Sequence, residues 1–130
     1  MSTVLITGTN RGIGLEFTRQ YAEDGWDVLA CCRTPEDAEA LNALAAKHAN
    51  ITIYTLDVAN FAQVDALAQQ LSDVSIDVLI NNAGIYPSGG LSNEEVDKWL
   101  DGFKLNSIAP LKMATAFTPM NEKTVHGKTL

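Results

Sequence analysis

The sequence predicts an α/β fold built on a parallel sheet with helices on both faces. Three observations carry that expectation. Four short apolar runs alternate with three segments of helical spacing. The runs are apolar almost throughout, as strands covered on both faces must be. A glycine-rich stretch, Thr7-Gly8-Thr9-Asn10-Arg11-Gly12-Ile13-Gly14, stands where the first run passes into the first helical segment.

Val4 to Thr7 reads as the first strand. Ile13 to Asp24 reads as a helix with Ile13, Phe17 and Tyr21 on one face, and Gly25 stands where a left-handed cap ends it. Val28 to Cys32 is the second strand. Thr34-Pro35-Glu36-Asp37 has the form of a helix start, with a hydroxyl cap, a proline in the first turn and acids near the positive end. Ala38, Leu41 and Ala45 give that helix its apolar face. Ile51 to Leu56 is the third strand. Asn60 is placed to cap a third helix with Val64, Leu67 and Leu71 as its stripe. Ile76 to Ile80 is the fourth strand, and it ends in Asn81-Asn82-Ala83-Gly84. Beyond a loop at Tyr86 to Gly90, Ser92 and Glu95 offer a capping box, and a last helical stretch runs to Phe117 through Pro110. The expected organisation is one domain over residues 1–118 and an irregular tail over 119–130, ordered at most as a strand at Thr129-Leu130.

The chain has 130 residues, enough for one core, and 46% are hydrophobic, which excludes disorder. A net charge of −7 without a basic run argues against nucleic acid and anionic membranes. No apolar run reaches the length of a membrane span, and a strand begins almost at once, so no signal peptide is expected and the expected compartment is the cytoplasm. Cys31 and Cys32 are adjacent in an apolar run and read as reduced and buried. No metal site is expected.

The glycine spacing is G-x-x-x-G-x-G, neither the common dinucleotide fingerprint nor a P-loop. Strand, glycine turn and helix bring backbone N–H groups and a positive helix end against a phosphate, although an ordinary strand-to-helix turn has the same composition. Ligands of open parallel sheets bind beyond the carboxyl ends of strands where the winding reverses. That point falls between the first and fourth strands, so the glycine turn and Asn81-Asn82-Ala83-Gly84 converge. Arg33 ends the second strand, where a cation suits the 2′-phosphate of NADP; Asp27 is at the wrong end to hold the ribose hydroxyl of NAD. Arg11 is placed to close on the same phosphate. Asp57 either bonds adenine or caps the following turn. Pro110 deprives the carbonyl of Asn106 of its helical partner; the residues alone favour a plain kink there.

Together Thr7-Gly8-x-x-x-Gly12-Ile13-Gly14, Asp57-Val58, Asn81-Asn82-Ala83-Gly84 and Asn106 resemble the short-chain dehydrogenase/reductase family. The segments Ile6 to Phe17 and Cys32-Arg33-Thr34-Pro35 look like its C-factor branch, close to carbonyl reductases. The resemblance implies a Rossmann-type doubly wound sheet, incomplete here, with strand order 3-2-1-4 and the later strands missing. It implies that Gly8, Asn10, Arg11, Gly12, Ile13 and Gly14 cradle the phosphates of NADP(H), with NAD(H) the lesser alternative. Arg33 and Arg11 would select NADP, and Asp57 and Val58 would contact adenine. Asn82, Ala83 and Gly84 would line the ribose and nicotinamide, and Asn106 would be the active-site asparagine holding a relay water.

The family also needs a serine and a tyrosine followed four residues later by a lysine. Here Tyr21 is followed by Gly25, Tyr54 by Val58 and Tyr86 by Gly90. The expectation is therefore the cofactor-binding portion of a carbonyl or alcohol oxidoreductase that lacks the catalytic tyrosine and lysine. A truncated chain is expected, whether natural, frameshifted, proteolysed or engineered. A non-enzymatic signalling or binding protein and a pseudoenzyme subunit completed by a partner are the alternatives. Self-association is expected through an exposed fourth-strand edge or the last helix.

Overall fold

The computed structural model describes residues 2–83, 108–121 and 128–129, with side chains through Phe117. Strand β1 (Thr3–Thr7) leads into α1 (Gly12–Glu23), followed by β2 (Asp27–Cys32), a single 3₁₀ turn (Pro35–Asp37), α2 (Glu39–Lys47), β3 (Ile51–Thr55), α3 (Phe61–Gln70) and β4 (Val78–Ile80). Helix α4 (Ala109–Asn121) and a two-residue strand β5 (Lys128–Thr129) complete the described elements. The sheet order is β3-β2-β1-β4-β5, and every pairing is parallel. The chain steps outward from β1 to β2 to β3, then returns to lay β4 on the other side of β1. The winding therefore reverses between β1 and β4, as expected.

Alternation along the strands divides the core into two layers. Leu5, Leu29, Cys31 and Leu79 pack with Val64 and Leu67 of α3 and with Met113 and Phe117 of α4. Val4, Ile6, Val28, Ala30 and Cys32 pack with Ala22 of α1 and Leu41 of α2 on the other side. Consecutive strand residues point to opposite faces, so the adjacent cysteines belong to different layers. Both are free thiols and buried.

Helix α1 turns a different face to the sheet than its large apolar residues suggest. Its buried residues are Gly14, Thr18 and Ala22, while Ile13 is 68% exposed and Phe17 37%. Small side chains allow the helix axis to approach the strands, and that proximity outweighs the area that Ile13 and Phe17 would bury. Thr18 satisfies its own buried hydroxyl by donating to the Gly14 carbonyl at 2.8 Å. The helix ends as expected: Gly25 has φ +85°, its N–H bonds the Ala22 carbonyl, and the Trp26 N–H bonds the Tyr21 carbonyl. The rings of Tyr21 and Trp26 meet edge to face, 4.9 Å apart. The Asn50 amide then donates to the carbonyls of Ala22 at 3.0 Å and Trp26 at 2.7 Å, tying this corner to the entrance of β3.

The remaining helices follow the sequence more closely. Asn60 caps α3 by accepting from the Gln63 N–H, and Val64, Leu67 and Leu71 are buried. Thr34 does not cap a helix: its side chain makes no capping bond, the segment after it is one 3₁₀ turn, and α2 starts at Glu39. Ala38 and Leu41 are nonetheless buried as expected. Pro110 is the second residue of α4, within its first turn. Lys112 of α4 reaches Asp65 of α3 at 2.7 Å.

The expectation of an open fourth-strand edge needs correction. Strand β4 is three residues long, and Val78 and Leu79 pair with Lys128 and Thr129. A peptide pairing therefore occupies the edge that was expected to be bare. After residue 118 the described residues are the end of α4 and β5, the latter overlapping the strand expected at Thr129-Leu130.

Candidate functional site

The carboxyl ends of β1 and β4 are joined by a small polar knot. Thr7, 1% exposed, accepts hydrogen bonds at Oγ1 from the backbone N–H groups of Asn82 and Ala83, both at 3.0 Å. Its hydroxyl is also 3.5 Å from the Ile80 carbonyl, to which it donates. The Asn82 side-chain amide donates to the Gly8 carbonyl at 3.1 Å. Two short motifs 75 residues apart in sequence are thus fastened residue to residue.

The glycine turn is shaped by that contact. Gly8 has φ +68°, and a β-carbon there would stand 3.0 Å from the Ala83 Cα. At Gly14 a β-carbon would lie 2.1 Å from the Gly8 carbonyl oxygen and 2.5 Å from Asn82 Nδ2. No side chain fits that position. Gly12, with φ +61°, faces open space. Arg11 precedes α1 in extended conformation, its side chain makes no capping bond, and the first turn holds no acid. The first N–H groups of α1 thus converge with a positive helix end at the mouth of the switch point, the arrangement that accepts an anion.

Around this mouth, Asn10, Arg11, Gly12, Ile13 and Arg33 are exposed. Arg33 follows β2 directly. Asp57 is half-buried beyond β3; its Oδ1 accepts from the Ala59 N–H at 3.0 Å, and its own N–H donates to Gln63 Oε1 at 2.9 Å. The turn-capping reading of Asp57 is therefore realised, with the carboxylate still at the carboxyl edge of the sheet. Val58 is 6% exposed and belongs to the α3–α4 core layer, so its side chain serves packing. Gly84, Asn106, the Ser92–Glu95 box and the Tyr86–Gly90 loop lie outside the described residues. A cavity of 460 Å³ beside β3 and α3 is lined by Tyr54, Gln63 and Gln70 and by no charged group. It contains none of the expected site residues.

Two residues of this construction are not among the sequence-predicted site residues: Thr7 as the knot between strand ends, and Thr9. Thr9 is fully buried, and both its N–H at 3.2 Å and its hydroxyl at 3.0 Å reach the Cys31 carbonyl. No sequence period marks it, because its partner carbonyl lies on another strand.

These features define a class: a doubly wound, Rossmann-type parallel α/β fold with a glycine turn at its switch point. The comparisons with known proteins narrow the class. A family model described as short chain dehydrogenase matches residues 2–129, and the chain belongs to that family. Among its relatives, ketoacyl reductase HetN of Nostoc is 34% identical over 120 residues, covering 90% of this chain and 42% of the relative. The crystal structure of NADPH-bound carbonyl reductase from chicken fatty liver superposes with a TM-score of 0.85 at 37% identity, covering 95% of this chain and 52% of that one. A Pseudomonas aeruginosa carbonyl reductase in complex with NADP gives a TM-score of 0.81 at 32% identity, covering 91% of this chain and 55% of the other. The chain thus spans about half the length of the proteins it matches. Among the described residues no helix is long and apolar enough to cross a membrane, and no group of acidic, histidine or cysteine side chains is arranged to hold a metal.

Proposed function

We propose that this chain forms the NADP(H)-binding portion of a carbonyl or alcohol oxidoreductase of the short-chain dehydrogenase type. The observation that carries the reading is the contact of Gly14 with Gly8 and Asn82, which leaves no room for a side chain where the glycine turn meets the strand ends. A pyrophosphate fits such a cradle, because the N–H groups of the turn approach it closely and the helix end is positive. In this reading Gly8, Asn10, Gly12, Ile13 and Gly14 hold the phosphates, and Arg11 and Arg33 take the 2′-phosphate. Asp57 and the backbone of Val58 meet the adenine, and Asn82, Ala83 and Gly84 line the ribose and nicotinamide. Asn106 holds a water in the proton path. The similarity to NADPH-bound and NADP-bound carbonyl reductases supports the choice of cofactor and substrate class.

When bound, the nicotinamide supplies or accepts the hydride. The chain's own residues orient it and exclude water. No tyrosine among the 130 residues has a lysine four positions later, so these residues alone are expected to bind without turnover. Isothermal titration of the purified chain with NADPH and NADH tests the reading. NADPH is expected to bind, and more tightly. Tighter binding of NADH overturns the assignment of Arg33 and Arg11, and binding of neither overturns the cofactor reading.

A further inference from the structure

We propose that Thr9 is a positioning residue for recognition of the cofactor's 2′-phosphate: it clamps the glycine turn to the end of β2 and so fixes Arg11 relative to Arg33. The inference rests on the proposed cofactor reading and assigns a task to a residue whose side chain is fully buried behind the turn.

The Cys31 carbonyl receives both the N–H and the hydroxyl of Thr9. The N–H bond carries the β1–β2 ladder one step past Gly8, where the chain has already entered the turn. The hydroxyl bond duplicates it. Valine in place of threonine would fill the same volume and keep the N–H bond, so the hydroxyl is not needed for the turn to exist. What the second bond adds is restraint. Thr9 is fully buried, while Asn10 and Arg11, the next two residues, are exposed. A restraint placed there acts directly on the base of Arg11.

The other end of the clamp lies two residues before Arg33. The next carbonyl, that of Cys32, accepts the Leu56 N–H at 2.9 Å and so ties the segment bearing Asp57 to the same strand end. The carboxyl end of β2 is thus the common anchor of two segments, and Thr9 holds the one that carries Arg11. Two guanidinium groups from separate segments share a single phosphate well only when their spacing is held, because ordering them at the moment of binding subtracts from affinity. NADH lacks that phosphate and is indifferent to the spacing.

Calorimetric titration of the full chain with NADPH and with NADH, as wild type, Thr9→Val and Thr9→Ser, tests this. Losing one restraining hydrogen bond is expected to weaken NADPH about fivefold in Thr9→Val while NADH changes by less than about twofold, and Thr9→Ser is expected to restore the wild-type ratio. A merely structural role would weaken both cofactors alike, and that result, or no change in either, overturns the proposal while leaving the cofactor reading standing. Wild-type chain that binds neither nucleotide overturns both. Should Thr9→Val fail to fold, Thr9→Ala carries the same comparison.

Discussion

A β-carbon on Gly14 would stand 2.1 Å from the carbonyl oxygen of Gly8, so the first turn of α1 rests on the end of β1 with no room for a methyl group. The same displacement would reach Asn82. Gly14→Ala is therefore expected to cost about 3 kcal/mol or more, since backbone must shift to admit the side chain. Gly12→Ala meets no neighbour within 4 Å and pays only for its φ of +61°, about 1 to 2 kcal/mol. Urea unfolding of both variants checks the order. Equal losses would show that the contact at Gly14 is not tight.

Thr7→Val removes the acceptor shared by the N–H groups of Asn82 and Ala83. Stranding two partly buried donors is expected to cost about 2 kcal/mol or more. Hydrogen exchange at those two amides should quicken more than elsewhere in β1 and β4, and Thr7→Ser should recover most of the loss. Unchanged exchange would mean the knot is not what joins the strand ends.

Burial, and secondarily the charge of Cys32, pushes the Cys31 thiol far up; burial and then Glu36 raise Cys32, against a lowering bond from the Thr34 backbone. Burial, then Cys31, also raises the Tyr54 phenol. A value raised by folding means the folded chain keeps a proton that the unfolded chain releases. The associated stability is complete below the ordinary thiol value of 9.0 and is lost as pH rises past it. The urea midpoint should therefore fall between neutral pH and about pH 10.5, with a shallower slope in Cys31→Ala. A flat profile would contradict the burial of the thiols.

On α4, Leu111 is 68% exposed and Ile108, just before the helix, 40%, while Ala109, Met113 and Phe117 are fully buried. With the β4 edge paired, the last helix is the remaining expected route to self-association. Leu111→Glu is expected to lower the light-scattering mass to that of a single chain. A wild type that is already monomeric at working concentration removes this expectation.

The first four strands are legible because periodicity and burial agree in a parallel sheet: Val4-Leu5-Ile6 and Val28 to Cys32 read as doubly covered strands and are; their order comes from the family resemblance, since periodicity carries no information on which strands are neighbours. The glycine turn and the Asn82-Ala83 segment were legible as neighbours because topology forces their approach. The inward face of α1 was not. Ile13 and Phe17 carry the larger hydrophobic signal, whereas the decisive quantity is how close Gly14, Thr18 and Ala22 let the helix come. Thr7 and Thr9 escaped notice for a related reason: a buried hydroxyl leaves no periodic trace, and its partners lie tens of residues away. Strand β5 is two residues long, Lys128–Thr129, and overlaps the strand expected at Thr129-Leu130, although so short a segment carries no period that fixes its bounds.

The two rims of the sheet are kept by different means. At the amino rim the Asn50 amide closes the corner formed by Ala22 and Trp26, and the Asp77 carboxylate accepts the Thr3 N–H at 2.8 Å. The glycine turn lies at the opposite rim, roughly 15 Å away along five-residue strands. Substitutions that far apart combine additively. On the proposed reading, nucleotide preference can thus diverge at one rim while the fastening of the other persists unaltered, and the scaffold stays available for reuse.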